Sequence, residues 1–183
     1  MKPVKSKSRR RHAGPTKASL STARKPTPRR AGEELSLADR SIDGHLIPAP
    51  ERVYDGPLPG EGYAVAFPSF PNRQGRTECV ELIKGLLGAP STSLWKEGRK
   101  LRSHAGEIEP GTAIATFVDG RYPNSRRRGN KHAAIFLRAT EGGIYVLDQF
   151  AHQAAVKERF IPWQHPRDRR AANNASSYST VRW

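Results

Sequence analysis

Residues 77–88 read TECVELIKGLLG, and this stretch decides the fold prediction. Three apolar residues recur with the period of a helix and share one face: Val80, Ile83 and Leu87. Thr77 is a residue type that caps helix N-termini, and Gly88 is typical of a helix end. The pattern therefore predicts a helix over residues 77–87. It places Cys79, the only cysteine of the chain, in the first turn of that helix.

Downstream of this helix the pattern changes to that of β-strands. Apolar runs of strand type, separated by turn residues, occupy residues 112–118, 131–138, 144–150, 156–162 and 178–183. Two glycines at 142 and 143 indicate a hairpin turn between the second and third runs. We also expect a second short helix over residues 93–101. A helix followed by adjacent antiparallel strands predicts an α+β domain, with the helix packed on one face of a sheet of about four to six strands.

Charge divides the chain into a basic tail and a body. Residues 1–32 contain 11 Lys or Arg and no Asp or Glu, whereas the formal net charge of the whole chain is +15. Because this tail has almost no large apolar side chains, we expect it to be disordered. Residues 33–61 form a Pro- and Gly-rich lead-in, and residues 62–183 form the folded domain. The sequence has no apolar run of spanning length and no apolar signal core, so we expect no membrane span and no classical signal peptide.

The lone cysteine has two possible roles. It excludes an internal disulfide and a cysteine-based zinc site, which leaves a small buried hydrophobe or a reactive thiolate. A helix start favours the thiolate, because unpaired N–H groups and the helix dipole stabilise its charge and can receive an oxyanion. The neighbouring carboxylates of Glu78 and Glu81 oppose a low pKa.

A histidine and an aspartate are the candidates to accompany Cys79. His132 opens the second strand run, at a sheet end that a helix N-terminus can approach. Asp148 follows 16 residues later, and a tight hairpin would bring it beside His132. A neighbouring carboxylate orients an imidazole and stabilises its protonated form. The alternative is that His132 is a surface histidine and Asp148 a residue at a strand end.

Four stretches carry a resemblance to a known family: residues 77–84 with Cys79, 110–117 from a Pro-Gly turn into a strand, 132–137 from His132, and 144–149 with Asp148. Their order resembles that of the papain-like cysteine amidases, which include the CHAP and NlpC-type peptidoglycan hydrolases and related amidase effectors. The resemblance implies a papain-like core with Cys79 as nucleophile, His132 as base and Asp148 as the orienting third residue. It departs from CHAP members at Glu78, where those proteins often carry Gln.

The same resemblance suggests secondary site residues. Papain-like enzymes can supply an oxyanion donor from an upstream Gln, for which Gln74 is the candidate; an ordinary polar loop residue is the alternative. Gln149 is the fallback for the third residue, although strand alternation sends it to the face opposite Asp148. Three residues flank the site and are candidates for a substrate groove, with packing or solvated charge as the alternative: Trp95, Tyr122 and Arg121. We expect no metal and no cofactor, since the histidines lack paired ligand spacing.

The implied function is a cysteine hydrolase that cleaves an amide bond in peptidoglycan. Such a protein would be an antibacterial effector, cytoplasmic before export and acting in the periplasm of a competitor. Its partners would be a peptidoglycan stem peptide as substrate, an immunity protein and a secretion apparatus. A lysin or a cysteine peptidase with another substrate would share the core. A different class also remains open: nonspecific binding of nucleic acid by residues 1–32, whose arginines bind phosphates but lack interleaved aromatics.

Overall fold

The computed structural model describes residues 41–42, 45–46, 50–59, 67–124 and 129–183. The predicted tail over residues 1–32 lies outside the described residues, as does most of the predicted lead-in. Among the helices within these ranges, none has the length and apolar character needed to cross a membrane.

An antiparallel sheet of six strands organises the described part of the chain. The strands are β3 (Lys96–Lys100), β4 (Ala113–Thr116), β5 (Ala133–Ala139), β6 (Gly143–Asp148), β7 (Lys157–Pro162) and β8 (Tyr178–Arg182), and their order in the sheet is β3-β8-β4-β5-β6-β7. Two further strands, β1 (Ser41–Ile42) and β2 (His45–Leu46), pair only with each other. The α+β class is therefore confirmed, with six strands in the main sheet.

Both faces of the sheet are buried. On one face lies helix α1 (Cys79–Leu87), whose Leu82 and Ile83 pack with residues of the central strands such as Ile135 and Leu147. On the other face, Phe136 and Val146 pack with Leu101 of the short helix α2 (Leu101–His104). The arrangement of one helix against one sheet face is confirmed, and burial on both faces explains why β4 and β5 read as continuous apolar runs.

The start of α1 differs from the prediction. The helix begins at Cys79, and the preceding Glu78 has extended dihedrals of φ −92° and ψ 152°. Thr77 is not the cap: its hydroxyl donates to the carbonyl oxygen of Phe150 at 3.0 Å. Gly88 ends the helix with φ 64°, and its N–H donates to the Lys84 carbonyl at 2.9 Å. Cys79 is thus the first helical residue, one or two positions earlier than expected.

The helix predicted over residues 93–101 is wrong. The chain there forms a single 3-10 turn and then strand β3, which pairs with β8. Gly98 allows this pairing, because a Cβ at that position would lie 2.2 Å from the Thr180 hydroxyl oxygen. Trp95 is buried just before the strand. Long-range pairing and burial of the indole outweigh the local helical pattern.

The β5–β6 hairpin contains a bulge that the sequence did not indicate. The Thr140 N–H donates to the Gly143 carbonyl at 2.8 Å, closing a tight turn. The pairing runs from Ala139↔Ile144 and shifts by one residue between Phe136 and Arg138, so Leu137 is the extra residue. Because side chains alternate along a strand, this shift places the positions of His132 and Asp148 on the same face of the sheet.

Candidate active site

Cys79 stands at the N-terminal end of α1. As the first helical residue it lies among N–H groups that have no partner within the helix. Its side chain is half-buried, and its Sγ lies 3.7 Å from the hydroxyl oxygen of Tyr122. Tyr122 comes from the loop between β4 and β5, so two separate parts of the chain meet at the thiol.

His132 precedes β5 and is held there by its backbone. The Thr116 N–H donates to the His132 carbonyl at 3.0 Å, and the His132 N–H donates to the Thr116 hydroxyl oxygen at 3.0 Å. The imidazole Nε2 lies 2.5 Å from Asp148 Oδ1, with His132 3 % and Asp148 1 % exposed. Since Nε2 faces the carboxylate, Nδ1 is the ring nitrogen left for Cys79. The structure thus brings Cys79, His132 and Asp148 together.

The electrostatics of this cluster favour an ion pair. Burial by itself raises the pKa of the Cys79 thiol, but hydrogen bonding with His132 and the charge of His132 outweigh it, so the net pKa is lowered. Burial by itself lowers the pKa of His132, whereas the charge and hydrogen bond of Asp148, aided by Cys79, raise it to about 9. Both directions favour the state in which Cys79 is a thiolate and His132 an imidazolium.

The two carboxylates beside the thiol are accommodated differently. Glu81 accepts a hydrogen bond from Lys84 Nζ at 2.8 Å, so its charge is paired within the helix. Glu78 is exposed to solvent, where screening weakens its effect on the thiol. These placements explain how Cys79 can have a lowered pKa next to two acidic residues.

The two glutamine candidates, Gln74 and Gln149, lie in different surroundings. Gln74 is an exposed residue of the turn at 72–76, and its backbone N–H donates to Asn72 Oδ1 at 2.9 Å. Gln149 is fully buried: its Oε1 accepts from the Phe70 N–H at 2.7 Å, and its Nε2 donates to the carbonyls of Phe70 and Glu78, each at 2.9 Å. Its amide is therefore engaged by the chain just before Cys79, and Asp148 has the position beside His132.

The three groove candidates lie in different environments. Trp95 is 1 % exposed, and its Nε1 donates to the Pro90 carbonyl at 3.2 Å, so the groove prediction does not hold for this core residue. Tyr122 packs edge-on against Trp95 with ring centroids 5.3 Å apart and presents its hydroxyl to Cys79. Arg121 is exposed, in the tight turn at 118–121. The arginines at 126–128, in the same loop of the chain, lie outside the described residues.

Two further residues of the site are not indicated by the sequence pattern. Arg159 Nε donates to Asp148 Oδ2, the carboxylate oxygen that His132 does not use. Phe150 stacks on the imidazole with centroids 4.8 Å apart and an interplanar angle of 21°. Phe150 lies two residues after Asp148. Arg159 lies two residues after Lys157, the residue of β7 that pairs with Asp148. Only the strand register could have identified them.

A cavity opens on the side of the imidazole where Phe150 lies. Its volume is about 500 Å³, and its walls include His132, Phe150 and the loop at 170–173. The charged side chains that line it are Lys131 and Arg170, with His152 beside them; the Arg170 guanidinium is paired with Asp168, which leaves Lys131 as the cation without that pairing. A ligand in this cavity would therefore be favoured if it carried a carboxylate or another anion.

Comparisons with known proteins agree with this arrangement. Residues 62–181 match the model of the family described as domesticated amidase effector 2 (Dae2). A type VI secretion amidase effector 2 protein of Salmonella typhi is 40% identical over 114 residues, which cover 57% of this chain and 84% of that protein. The domesticated amidase effector 2 of Ixodes scapularis is 40% identical over 78 residues, 41% of this chain and 51% of that protein.

A solved structure shows the same fold. The type 6 secretion amidase effector 2 (Tae2) superposes with a TM-score of 0.57 at 35% sequence identity, covering 65% of this chain and 89% of that one. The resemblance to papain-like amidase effectors is thereby confirmed. On the family match over most of the folded domain, this chain belongs to the domesticated amidase effector 2 family.

Proposed function

We propose that this protein is a cysteine-dependent amidase that hydrolyses an amide bond in peptidoglycan. One observation carries the proposal: a helix-start cysteine meets a histidine whose Nε2 lies 2.5 Å from a buried carboxylate. Membership in an amidase effector family supports amide hydrolysis as the reaction class. The relative in Salmonella typhi, named as a type VI secretion amidase effector, supports an antibacterial role after export.

The chemistry follows from the arrangement of the three residues. The Cys79 thiolate attacks the amide carbonyl, and N–H groups of the first turn of α1 receive the resulting oxyanion. The His132 imidazolium gives its proton to the leaving amine, which departs as the C–N bond breaks and leaves a thioester on Cys79. Neutral His132 then takes a proton from a water molecule that attacks the thioester carbonyl, the C–S bond breaks, and the acid product leaves the Cys79 thiolate beside the His132 imidazolium. Asp148 keeps the imidazole oriented throughout.

The surroundings of His132 support an anionic substrate. Peptidoglycan stem peptides carry free carboxylates, and the basic residues around the adjoining cavity would attract them. In the proposed setting, the protein is delivered by a secretion apparatus into the periplasm of a competitor. The producer would need an immunity protein to escape hydrolysis of its own wall.

Digestion of purified peptidoglycan tests this function. The wild-type protein should release new fragments, and Cys79→Ala and His132→Ala should each release none. His104→Ala is the matched control, because His104 is outside the site and bonds to the backbone of Lys100 at 3.0 Å. Mass analysis of the fragments identifies the bond that is cut. Wild-type protein that releases no fragment, or Cys79→Ala that remains active, would contradict the proposal.

A further inference from the structure

Arg159 is a charged side chain inside the site that the mechanism above does not use. It projects from β7, and the β6–β7 register pairs Asp148 with Lys157, which makes Arg159 a diagonal neighbour of Asp148 on the same sheet face. Its Nε donates to Asp148 Oδ2, while Oδ1 faces His132. The two oxygens of one buried carboxylate are therefore divided between an imidazole and a guanidinium.

The guanidinium is itself fixed by the chain beyond β7. Its Nη1 donates to Asn173 Oδ1 at 3.0 Å, and its Nη2 donates to the Ala172 carbonyl at 3.1 Å. That carbonyl also accepts from the buried Tyr178 hydroxyl at 2.9 Å. All three guanidinium nitrogens thus have an acceptor, and the planar group is held in one orientation.

Phe150 covers this chain of charges. Its ring stacks on the His132 imidazole, and the Cζ atom of Arg159 lies 4.8 Å from the ring centroid. The imidazole and the guanidinium therefore contact the same aromatic side chain. Contact with an apolar ring strengthens charge interactions in this cluster, because it replaces water there.

We propose that Arg159 is a positioning residue that fixes the Asp148 carboxylate against His132 and thereby controls the Cys79–His132 pair. The inference rests on the proposed function, because it assigns Asp148 to the catalytic cluster. With Arg159 present, the ionised cluster contains two negative groups, the Cys79 thiolate and the Asp148 carboxylate. They face two positive groups, the imidazolium of His132 and the Arg159 guanidinium. Without it, Asp148 would be a buried carboxylate with half of its hydrogen-bonding partners missing.

The expected sign follows from removing a positive charge. Thiolate formation at Cys79 becomes harder and loss of the His132 proton also becomes harder, so both titrations move to higher pH. The other titratable or charged groups near the cluster are unchanged in every variant. They are Glu78 just before α1 and Glu81 in its first turn, Tyr122 from the loop before β5, Tyr178 from β8, and Lys131, His152 and Arg170 around the adjoining cavity, where Arg170 is paired with Asp168.

Alkylation of Cys79 by iodoacetamide as a function of pH tests the proposal without any amide substrate. In the full chain the rate should rise once when the ion pair forms and again when His132 loses its proton. Arg159→Gln should move both midpoints upward by about one pH unit, and Arg159→Lys should restore them toward wild type. Arg138→Gln is the control, since Arg138 pairs with Glu158 on the exposed side of β5.

A second pair of variants covers the case in which Arg159→Gln does not fold. Asp148→Asn with Arg159→Gln removes both charges and leaves no unpaired buried ion. Compared with Asp148→Asn alone, it should again move both midpoints upward. Suppose that the wild-type alkylation midpoint is lower than that of a free thiol, but that Arg159→Gln does not shift it and the double variant does not differ from Asp148→Asn. That result would overturn the role of Arg159 and leave the proposed function standing. A wild-type thiol that titrates like a free thiol would contradict both this inference and the proposed function.

Discussion

Tyr122 is a residue whose hydroxyl has a defined chemical state. Burial, together with the charge of Cys79 and its hydrogen bond, raises the pKa of Tyr122 far above its usual range. The hydroxyl therefore keeps its proton at every pH at which the enzyme would work, and it can only donate to a thiolate that lies 3.7 Å away. We expect it to stabilise the charged form of Cys79 and to add a donor close to the oxyanion.

Tyr122→Phe should raise the pKa of the Cys79 thiol. A hydrogen bond of about 1 kcal/mol corresponds to about 0.7 pKa unit, and to about a fivefold loss in rate if the same donor serves the reaction. The pH dependence of iodoacetamide alkylation measures the first effect, and peptidoglycan digestion the second. Tyr145→Phe is the control, because Tyr145 packs on Phe160 of β7. An unchanged alkylation midpoint would show that the hydroxyl does not act on the thiol.

The ion pair of Cys79 and His132 should also change how the free energy of unfolding depends on pH. Because the pKa of His132 is raised, its contribution is complete below about pH 6.5 and is lost as the pH rises through about 9. Because the pKa of Cys79 is lowered, its contribution is complete above the ordinary thiol pKa of about 8.5 and is lost as the pH falls. Between these limits the two contributions change in opposite directions.

We therefore expect the free energy of unfolding of the wild-type protein to depend less on pH between about 6.5 and 8.5 than that of Cys79→Ala. In Cys79→Ala the part of the His132 contribution that comes from Asp148 remains and the part that comes from the thiol is lost, so stability should fall by up to about 2 kcal/mol over the same range. Urea unfolding at three pH values measures both curves, and their difference cancels the titration of every other group. Parallel curves would contradict an ion pair in the folded protein.

The sequence indicated Cys79, His132 and Asp148 through their residue types, their places at the ends of predicted elements and their order along the chain. Arg159 and Phe150 could not be identified in the same way. An arginine in an exposed, alternating strand such as residues 157–160 looks like any surface charge. Its place beside Asp148 depends on how β6 and β7 align, which is a long-range property of the sheet.

At the scale of elements, Gln149 connects the end of β6 to the segment that leads into α1. Its three hydrogen bonds reach both backbone groups of Phe70 and the carbonyl of Glu78. The residue before the thiol is therefore tied to the strand that carries Asp148. The helix start and the hairpin are held together by a neutral side chain that contributes no charge to the site.

Gln149→Met should lower the free energy of unfolding by about 2–3 kcal/mol, because methionine fills a similar volume but removes all three hydrogen bonds to the backbone of Phe70 and Glu78. Denaturant unfolding measures this loss, and hydrogen exchange of residues 70–82 should become faster than that of β5. Gln153→Met is the control: Gln153 accepts from the Phe150 N–H at 2.6 Å in an exposed turn and should cost less than about 1 kcal/mol. Equal losses for the two variants would show that Gln149 has no special role.

Elements with strong periodicity were predictable, and those set by pairing partners were not. Helix α1 and strands β4 to β8 follow from local patterns and turn residues. Strand β3 does not, because four of the five residues of Lys96–Lys100 are charged and the fifth is Gly98, a composition with little strand character. Pairing with β8 and burial of Trp95 next to it decide its conformation, and neither is visible in a local window.

At the scale of the whole molecule, the most basic segment of the sequence is separate from the residues that the proposed reaction uses. Residues 1–32 carry 11 of the basic residues with no acidic ones, whereas the proposed reaction uses only residues of the described domain. Deleting residues 1–32 should therefore leave peptidoglycan digestion intact and abolish salt-sensitive retention on DNA. Retention that persists without the tail would locate anion binding in the domain; lost digestion would mean that the tail assists the reaction.

The site also joins the two layers that cover the sheet. Cys79 and Gln149 belong with the face on which α1 packs, whereas Asp148 and Arg159 belong with the opposite face. His132 lies just before β5, at the end of the sheet, and its imidazole contacts groups that belong to both faces: Asp148 and Cys79. The α+β class follows from the sequence pattern, but this meeting of two layers follows only from the finished sheet.

The bulge at Leu137 has a consequence for recognising related genes. In a bulge-free hairpin with the same tight turn, a separation of 16 residues would put the acid on the face opposite the histidine. A relative that lacks the extra residue must therefore space its histidine and acid by an odd number, or lengthen its turn. The parity of that spacing, read together with the turn, tells a genome annotator whether an aligned aspartate can be the equivalent of Asp148.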